Sequence, residues 1–450
     1  MKSVGAKQKK ESSLTDHGLA LVPLGAGYHQ SPDVLAQGRS VDTGLLAESL
    51  IYYDRVLINV DNPVRFADLI SLLVQQGLST ADIIALIRDG TLQVLHFAFT
   101  TNPYVEFRED RLSIHGLYNF QDNQLLKPNS FFERFLGFER LKTCFSDRSD
   151  FDEFCRVLEG RVIEIKADDI GSAAIDNAYQ DFLDPERNQL MSQELVNEIY
   201  KIRKMGKAPK LRVAINPTPD GAYEIRWNIP MHQLPAVDAD TNIKAAGTLP
   251  LSTAAEANKY LWASKRSKCD LYLSSPMSTT VGNKLFEAST IEETSAIQVR
   301  RLVETLEARV EFPDLRSYVN NDRIDFDHIL RIRRKAKKFR TWLQTEAERD
   351  RDAIVAYHNE VAKASGFAGI ARRSLKLFGF VSGSILGGTI GREVGTTAAG
   401  AIAGHLTQKG IEKGVEYLFD LAGNLGAEWT PVVFGKWYRN KIEILLDKNR

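Results

Sequence analysis

The sequence predicts an α+β fold, in which a mixed α/β N-terminal region is followed by an all-α C-terminal helical module with a glycine-zipper hairpin. Three observations predict it. Strand-like apolar runs alternate with helical periodicity up to about residue 285. Strand signals nearly vanish from residue 291 onward. Glycines then recur at four-residue intervals between residues 377 and 404.

The composition is that of an ordinary folded protein. Hydrophobic residues make up 43% of the 450 residues, and 58 basic side chains balance 58 acidic ones. Any effect of charge on partners must therefore be local. The three cysteines, Cys144, Cys155 and Cys269, are too few and too scattered for a disulfide framework or a zinc site, which fits a reducing cytoplasm. The sequence shows neither a signal peptide nor an uninterrupted apolar run of 18 residues.

Changes in composition divide the chain into three parts. Residues 1–18 predict a flexible basic tail. Residues 19–285 predict a mixed α/β recognition or regulatory region, either one unit or two subdomains that meet near residues 130–160. Residues 286–450 predict a helical module, with a basic amphipathic helix at 325–364 and the glycine zipper at 377–404.

Turn and capping residues place the elements of the N-terminal region. Pro63 opens a helix that Gly77 ends, and Ser79 caps the next helix. A long helical stretch is broken at Asp184-Pro185. The predicted strands are 19–24, 55–60, 92–100, 161–166 and 270–273; the predicted hairpins lie at 104–118 and 211–229; the predicted helices are 45–53, 63–75, 79–88, 170–205 and 253–264, with helical periodicity also over 131–158.

The glycine zipper forms a stripe without side chains along one helix face, because residues four apart lie nearly above one another. Each glycine in a water-exposed helix costs roughly 1 kcal/mol relative to alanine, so close packing against another backbone must offset that cost. Small residues at this spacing are typical of helix association in lipid. The predicted membrane or oligomer contacts are Gly379, Gly383, Gly387, Gly391, Gly395, Gly400 and Gly404, flanked by Phe380, Ile385 and Ile390.

Length and charge limit what this segment can do in a membrane. Arg392 and Glu393 split it into two uncharged halves, and neither half reaches the roughly 20 residues that cross a bilayer. A conditionally inserting hairpin, or an oligomer with its polar residues facing a lumen, fits this pattern. A soluble helix pair packed within the chain's own core and a groove for a partner helix are the alternatives.

A cluster of cations precedes the zipper on a helix that keeps an apolar stripe. Seven of ten consecutive residues are basic, namely Arg331, Arg333, Arg334, Lys335, Lys337, Lys338 and Arg340. Residues 325–376 hold 13 cations and 7 anions, a net charge of +6. A basic amphipathic helix is suited to the anionic inner leaflet of a membrane. Nucleic acid, an acidic regulatory protein and a simply solvated face are the other interpretations of this cluster.

Together these segments resemble bacterial toxins and antiviral defence effectors in which a latent glycine-rich helical segment is released on activation. The likeness covers residues 376–414 and the preceding basic helix. It implies a non-enzymatic, toxin-like membrane effector that self-associates, with an N-terminal sensing region. Such a protein would be cytoplasmic and conditionally associated with the inner membrane.

Signatures of catalysis are weak, and no cofactor or metal is predicted. Gly25-Ala26-Gly27 has two glycines of a dinucleotide loop but lacks the third. The enzymatic alternative is a metal-dependent nuclease, because Asp152 precedes a strand that carries Glu164 and Lys166 two residues apart. Nucleases of the restriction-endonuclease type have a similar acid and Glu-x-Lys arrangement. An interaction scaffold that binds a partner helix is the remaining alternative.

Overall fold

A parallel sheet and a smaller antiparallel sheet organise the described part of the chain. The computed structural model describes residues 18–27, 29–60, 62–101, 103–108, 111–120, 125–127, 134–228, 243–273, 277, 280–281, 315–337 and 340–341. The strands are β1 (Leu19–Pro23), β2 (Arg55–Val60), β3 (Leu92–Phe97), β4 (Phe99–Thr100), β5 (Tyr104–Arg108), β6 (Arg111–Gly116), β7 (Asn119–Phe120), β8 (Val162–Ile165), β9 (Val213–Pro217), β10 (Tyr223–Trp227) and β11 (Asp270–Leu271).

Helices lie between the successive strands of the parallel sheet. They are α1 (Pro32–Ala36), α2 (Thr43–Tyr52), α3 (Pro63–Gln75), α4 (Thr80–Arg88), α5 (Arg140–Lys142), α6 (Arg148–Glu159), α7 (Ser172–Leu183), α8 (Pro185–Ile202), α9 (Ile243–Ser267), α10 (Leu315–Asn320) and α11 (Phe326–Lys335). A π-helical turn, Arg134–Glu139, leads into α5, and a short 3₁₀ turn, Ala167–Asp169, follows β8.

The parallel sheet has five strands in the order β11-β1-β2-β3-β8. All four pairings are parallel, with Leu21 of β1 opposite Leu57 of β2 and Leu271 of β11. The chain adds strands in one direction from β1 to β8 and then returns to place β11 on the other side of β1. In open α/β sheets, ligands bind beyond the carboxyl ends of the strands at such a reversal of direction.

Both faces of the parallel sheet are covered, because alternate residues of each strand enter two separate hydrophobic clusters. We call them the first face and the second face. The first face contains Val22, Ile58 and Val94 with α2, α3, α4 and α6. The second face contains Leu21, Leu57 and Leu95 with α7 and α9. The antiparallel sheet, in the order β5-β6-β10-β9, adds Leu112 and Ile225 to the second face.

Local sequence signals account for many of the element boundaries. All five residues of β1 are buried, as expected of a strand covered on both faces. Asn62 caps α3 by accepting a hydrogen bond from the Arg65 amide, and Ser79 forms a capping box with Asp82 at the start of α4. The predicted bounds of β2 and α3 are confirmed. The single strand predicted over 92–100 is instead interrupted at Ala98.

The mixed α/β content of the N-terminal region is confirmed, with one parallel and one antiparallel sheet. Residues early in the predicted helical module pack into that same region: Leu315 and Val319 of α10 and Phe326 and Ile329 of α11 belong to the first face. The glycine zipper at 377–404 lies outside the described residues. Within the ranges given above, no helix is long and apolar enough to cross a membrane.

Candidate functional site

Side chains of the C-terminal helix α10 form hydrogen bonds with the amino end of helix α2. Asp42 caps α2 by accepting a hydrogen bond from the Leu45 amide at 2.8 Å. The same carboxylate accepts hydrogen bonds from Arg316 Nε and Asn320 Nδ2, each at 2.8 Å. Ser31 Oγ donates a further bond to Asp42 Oδ2 at 2.9 Å. This network joins the loop after β1, the start of α2 and α10.

The charges of this network depend on one another. Burial by itself would raise the pKa of Asp42, but the Arg316 guanidinium and hydrogen bonds from Asn320 and Leu45 outweigh it and lower that pKa. Burial would lower the pKa of Arg316, but the Asp42 carboxylate raises it overall. Asp42 and Arg316 therefore form a fully charged pair in the interior, which is favourable only while both partners are present.

A glycine allows α10 to approach the backbone of α2. A Cβ atom added to Gly44 would lie 2.2 Å from the carbonyl oxygen of Arg316 and 2.8 Å from Asn320 Nδ2. The Gly44 amide also donates a hydrogen bond to Asn320 Oδ1 at 2.8 Å. Any side chain at position 44 would push α10 away from α2, so the contact is specified by this residue.

Two arginines hold the carboxyl end of α2. Arg333 donates hydrogen bonds to the carbonyl oxygens of Leu50, of Tyr53 at 2.7 Å and of Asp54 at 2.6 Å. Arg340 Nε binds Asp54 Oδ1 at 2.7 Å. Burial, together with the neighbouring Arg340, lowers the pKa of Arg333 to about 10, which leaves it charged at neutral pH. These cations satisfy and complement the carbonyl end of the α2 dipole.

The remaining described cations of α11 face the solvent. Phe326, Ile329 and Ile332 occupy the opposite side of this helix and are buried in the first face. We call the exposed row the basic ridge; it consists of Arg331, Arg334 and Lys335 of α11 together with exposed Lys337, two residues beyond the end of that helix. Arg331 pairs with Asp327 at 2.6 Å. Lys338, the remaining cation of the predicted cluster, lies outside the described residues.

The residues of the nuclease alternative are divided between α6 and the end of β8. Asp152 is exposed on α6 and lies 3.8 Å from Arg148 in an i,i+4 ion pair. Glu164 is on β8, opposite His96 of β3, and Lys166 follows that strand in an exposed position. Among the residues that the structure describes, no group of three or more His, Cys, Asp or Glu side chains could hold a metal ion.

Sequence reasoning missed a buried polar cluster at the carboxyl edge of the parallel sheet. Tyr260 OH accepts hydrogen bonds from Gln30 Nε2 and from Asn59 Nδ2, both at 3.0 Å. Lys259 Nζ forms an ion pair with Glu256 at 2.7 Å, with side-chain exposures of 0% and 4%. The signal in the sequence was the charged pair at i,i+3 in the otherwise uncharged stretch 249–263 of α9.

The position of this cluster links it to the network around Asp42. Gln30 belongs to the loop after β1 and reaches α9, whereas the next residue, Ser31, reaches Asp42 and Arg316. A Cβ added to Gly25 would lie 2.3 Å from Gln30 Oε1, so this loop packs closely on itself. A shift of the loop at the carboxyl edge of the sheet would therefore alter the hydrogen bonds that Ser31 makes with Asp42 and with Arg316 of α10.

The fold and these contacts define a doubly wound α/β domain whose central helix α2 is held at both ends by a C-terminal helical segment. Comparisons with protein-family models, curated proteins and solved structures found no match to this chain.

Proposed function

We propose that the chain is a non-enzymatic effector that acts on membranes. The α/β domain serves as its recognition and regulatory part, and the glycine-zipper segment is the part that perturbs the lipid. The single observation that carries the proposal is the basic ridge: of the cations between residues 331 and 340, Arg333 and Arg340 anchor this segment to the domain while the ridge faces the solvent, ahead of the zipper at 377–404 in sequence.

The ridge supports docking to an anionic surface by charge. The apolar side of α11 is already occupied by the domain core, so this helix does not bury its apolar side in lipid while the domain is folded. Each cation near an anionic leaflet contributes on the order of 1 kcal/mol. The charge of Arg331 is partly neutralised by its ion pair with Asp327. The main contributors are therefore Arg334, Lys335 and Lys337.

The step after docking is assigned to residues 377–404. Their glycine spacing favours close helix contacts, and copies of the chain would associate through it in the bilayer. In this proposal the cytoplasmic protein docks reversibly on the anionic inner leaflet through the ridge, and a trigger then frees the zipper to self-associate in the bilayer. The contacts of α10 and α11 with the two ends of α2 restrain the zipper in this proposal, because they attach the segment before the zipper to the folded domain.

Vesicle flotation tests the docking step. Full-length protein is mixed with phosphatidylcholine vesicles that either contain or lack phosphatidylglycerol. The wild type is expected to float with the anionic vesicles only, and the ridge variant R334Q/K335Q/K337Q is expected to stay at the bottom of the gradient. The matched control is K207Q/K210Q/R212Q, which also removes three exposed cations and should float like wild type. Equal flotation of the ridge variant and wild type would contradict the proposal.

A further inference from the structure

A second basic surface lies between α8 and β9. Residues 201–212 contain six cations and no acidic residue. All six are exposed: Lys201, Arg203, Lys204, Lys207, Lys210 and Arg212. Lys201 pairs with Glu198 of α8 at 3.3 Å. We call residues 203–212 the basic loop.

Side-chain amides fix the backbone of the basic loop. Gln193 donates to the Pro209 carbonyl at 3.0 Å and accepts from the Leu211 amide at 2.8 Å. Asn228 accepts from the Arg212 amide at 2.6 Å and donates to the Lys210 carbonyl at 2.9 Å. Residues 209–212, which include Lys210 and Arg212, are therefore held in place before binding, and binding does not have to order them first.

The basic loop begins with a lysine in a backbone conformation that glycine adopts more easily. Lys204 has a φ of 55°, in the left-handed region, where α8 ends. Its amide and that of Met205 bond to the carbonyls of Lys201 and Tyr200, which closes the helix end. Glycine is the usual residue at such a position. The Lys204 side chain is exposed at this turn, as are those of Arg203 and Lys207.

The basic loop and the basic ridge belong to opposite sides of the parallel sheet. The ridge is on α11, which packs on the first face. The loop follows α8, whose Met191 is part of the second face, and leads into the sheet that supplies Ile225 to that face. The two basic surfaces therefore lie on elements that pack on different faces of the sheet, and substitutions in one leave the other intact.

We propose that the basic loop binds the phosphate backbone of a nucleic acid. A dense run of cations without intervening acids matches a polymer with a negative charge at every phosphate, and their neutralisation releases counterions. Contacts of this kind do not depend on base sequence. The proposal deepens the proposed function, because nucleic acid would then be the ligand that the recognition part detects; the binding itself does not depend on membrane activity.

Fluorescence anisotropy tests the binding. The full-length protein is titrated into a labelled DNA duplex and a labelled RNA duplex at several salt concentrations. The loop variant K207Q/K210Q/R212Q is expected to bind at least tenfold more weakly, and the slope of log K against log salt should fall in magnitude by about 3. The ridge variant R334Q/K335Q/K337Q removes the same number of charges and should keep wild-type affinity.

Two further measurements distinguish a phosphate-binding loop with a held backbone from a general attraction between the cations and any polyanion. Gln193→Ala keeps every cation but releases the loop, and it should weaken binding with an unchanged salt slope. Polyglutamate of equal total charge should compete poorly with the duplex. Equal binding by wild type and the loop variant, or equal competition by polyglutamate, would overturn the proposal. Either result would leave the flotation of the ridge variant unaffected, so the two proposals fail separately.

Discussion

Arg316 Nε lies 2.8 Å from Asp42 Oδ2 in the interior, although 274 residues separate the two along the chain. This pair makes α10 part of the α/β domain and gives the C-terminal segment a specific attachment to the amino end of α2. Because Asp42 is also the N-cap of that helix, the attachment and the start of the helix depend on the same carboxylate.

Arg316→Met should be strongly destabilising. It leaves the Asp42 carboxylate buried without its cation, and loss of one partner of a buried pair costs about 3–5 kcal/mol. Urea unfolding of the full-length chain measures the change. Arg334→Met, on the exposed side of α11, is the control and should change the free energy of unfolding by less than about 0.5 kcal/mol. Equal effects of the two substitutions would show that the Asp42–Arg316 pair is not important for stability.

Acid should weaken the protein through Asp42. Its pKa is lower in the folded state than in the unfolded chain, so it contributes stability that is present above the unfolded pKa and is lost as the pH falls through the folded pKa. The free energy of unfolding should therefore decline below about pH 5. Asp42→Asn, although less stable at pH 7, should show a shallower decline. A decline of the same steepness in both proteins would assign the effect to other groups.

Gly44→Ala should loosen α10 from the domain. The added Cβ would meet the Arg316 carbonyl at 2.2 Å, and since backbone atoms cannot simply rotate away, we expect a cost of about 1–3 kcal/mol. Protease susceptibility near residue 315 should rise in parallel. Gly116→Ala is the control, because nothing lies within 4 Å of its added Cβ. An unfolding midpoint for Gly44→Ala equal to that of the control would contradict the close contact.

Lys204→Gly should separate stability from binding. Glycine adopts the left-handed backbone conformation of residue 204 without strain, so the substitution should raise the free energy of unfolding by about 1 kcal/mol. Loss of the ammonium group should weaken duplex binding. Lys207→Gly removes the same charge at a position without positive φ and should stabilise nothing. Thermal unfolding and anisotropy on the same samples test this. If Lys204→Gly binds as well as wild type, the lysine has no role in binding.

Local elements could be predicted from the sequence because their signals are local. Pro63 and the apolar periodicity after it predict α3, and Ser79 predicts the start of α4. The continuous apolar run at Leu19 predicts a buried strand. The parallel order of the sheet depends on pairings between distant segments: a strand was predicted at 270–273, but its pairing with β1 was not.

The division of the arginines could not be predicted. Arg333 and Arg334 are neighbours of the same type, but only Arg333 reaches the carbonyls at the end of α2. Helix periodicity shows that the two side chains face different directions. It does not show that the carboxyl end of α2 lies beside Arg333. Lys259 was missed for a related reason: a fully buried lysine is rare, and its partner Glu256 and neighbour Thr101 come together only in the fold.

Dye leakage from anionic vesicles tests the central claim most directly. Full-length protein is added to phosphatidylglycerol-containing vesicles after removal of the restraint by Arg316→Met, and the same protein carrying Gly387→Leu and Gly391→Leu is compared. The account predicts leakage with the intact glycine stripe, loss of leakage with the two leucines, and no effect of Gly116→Leu as control. Leakage that persists with both leucines, or none with the intact stripe, would contradict it.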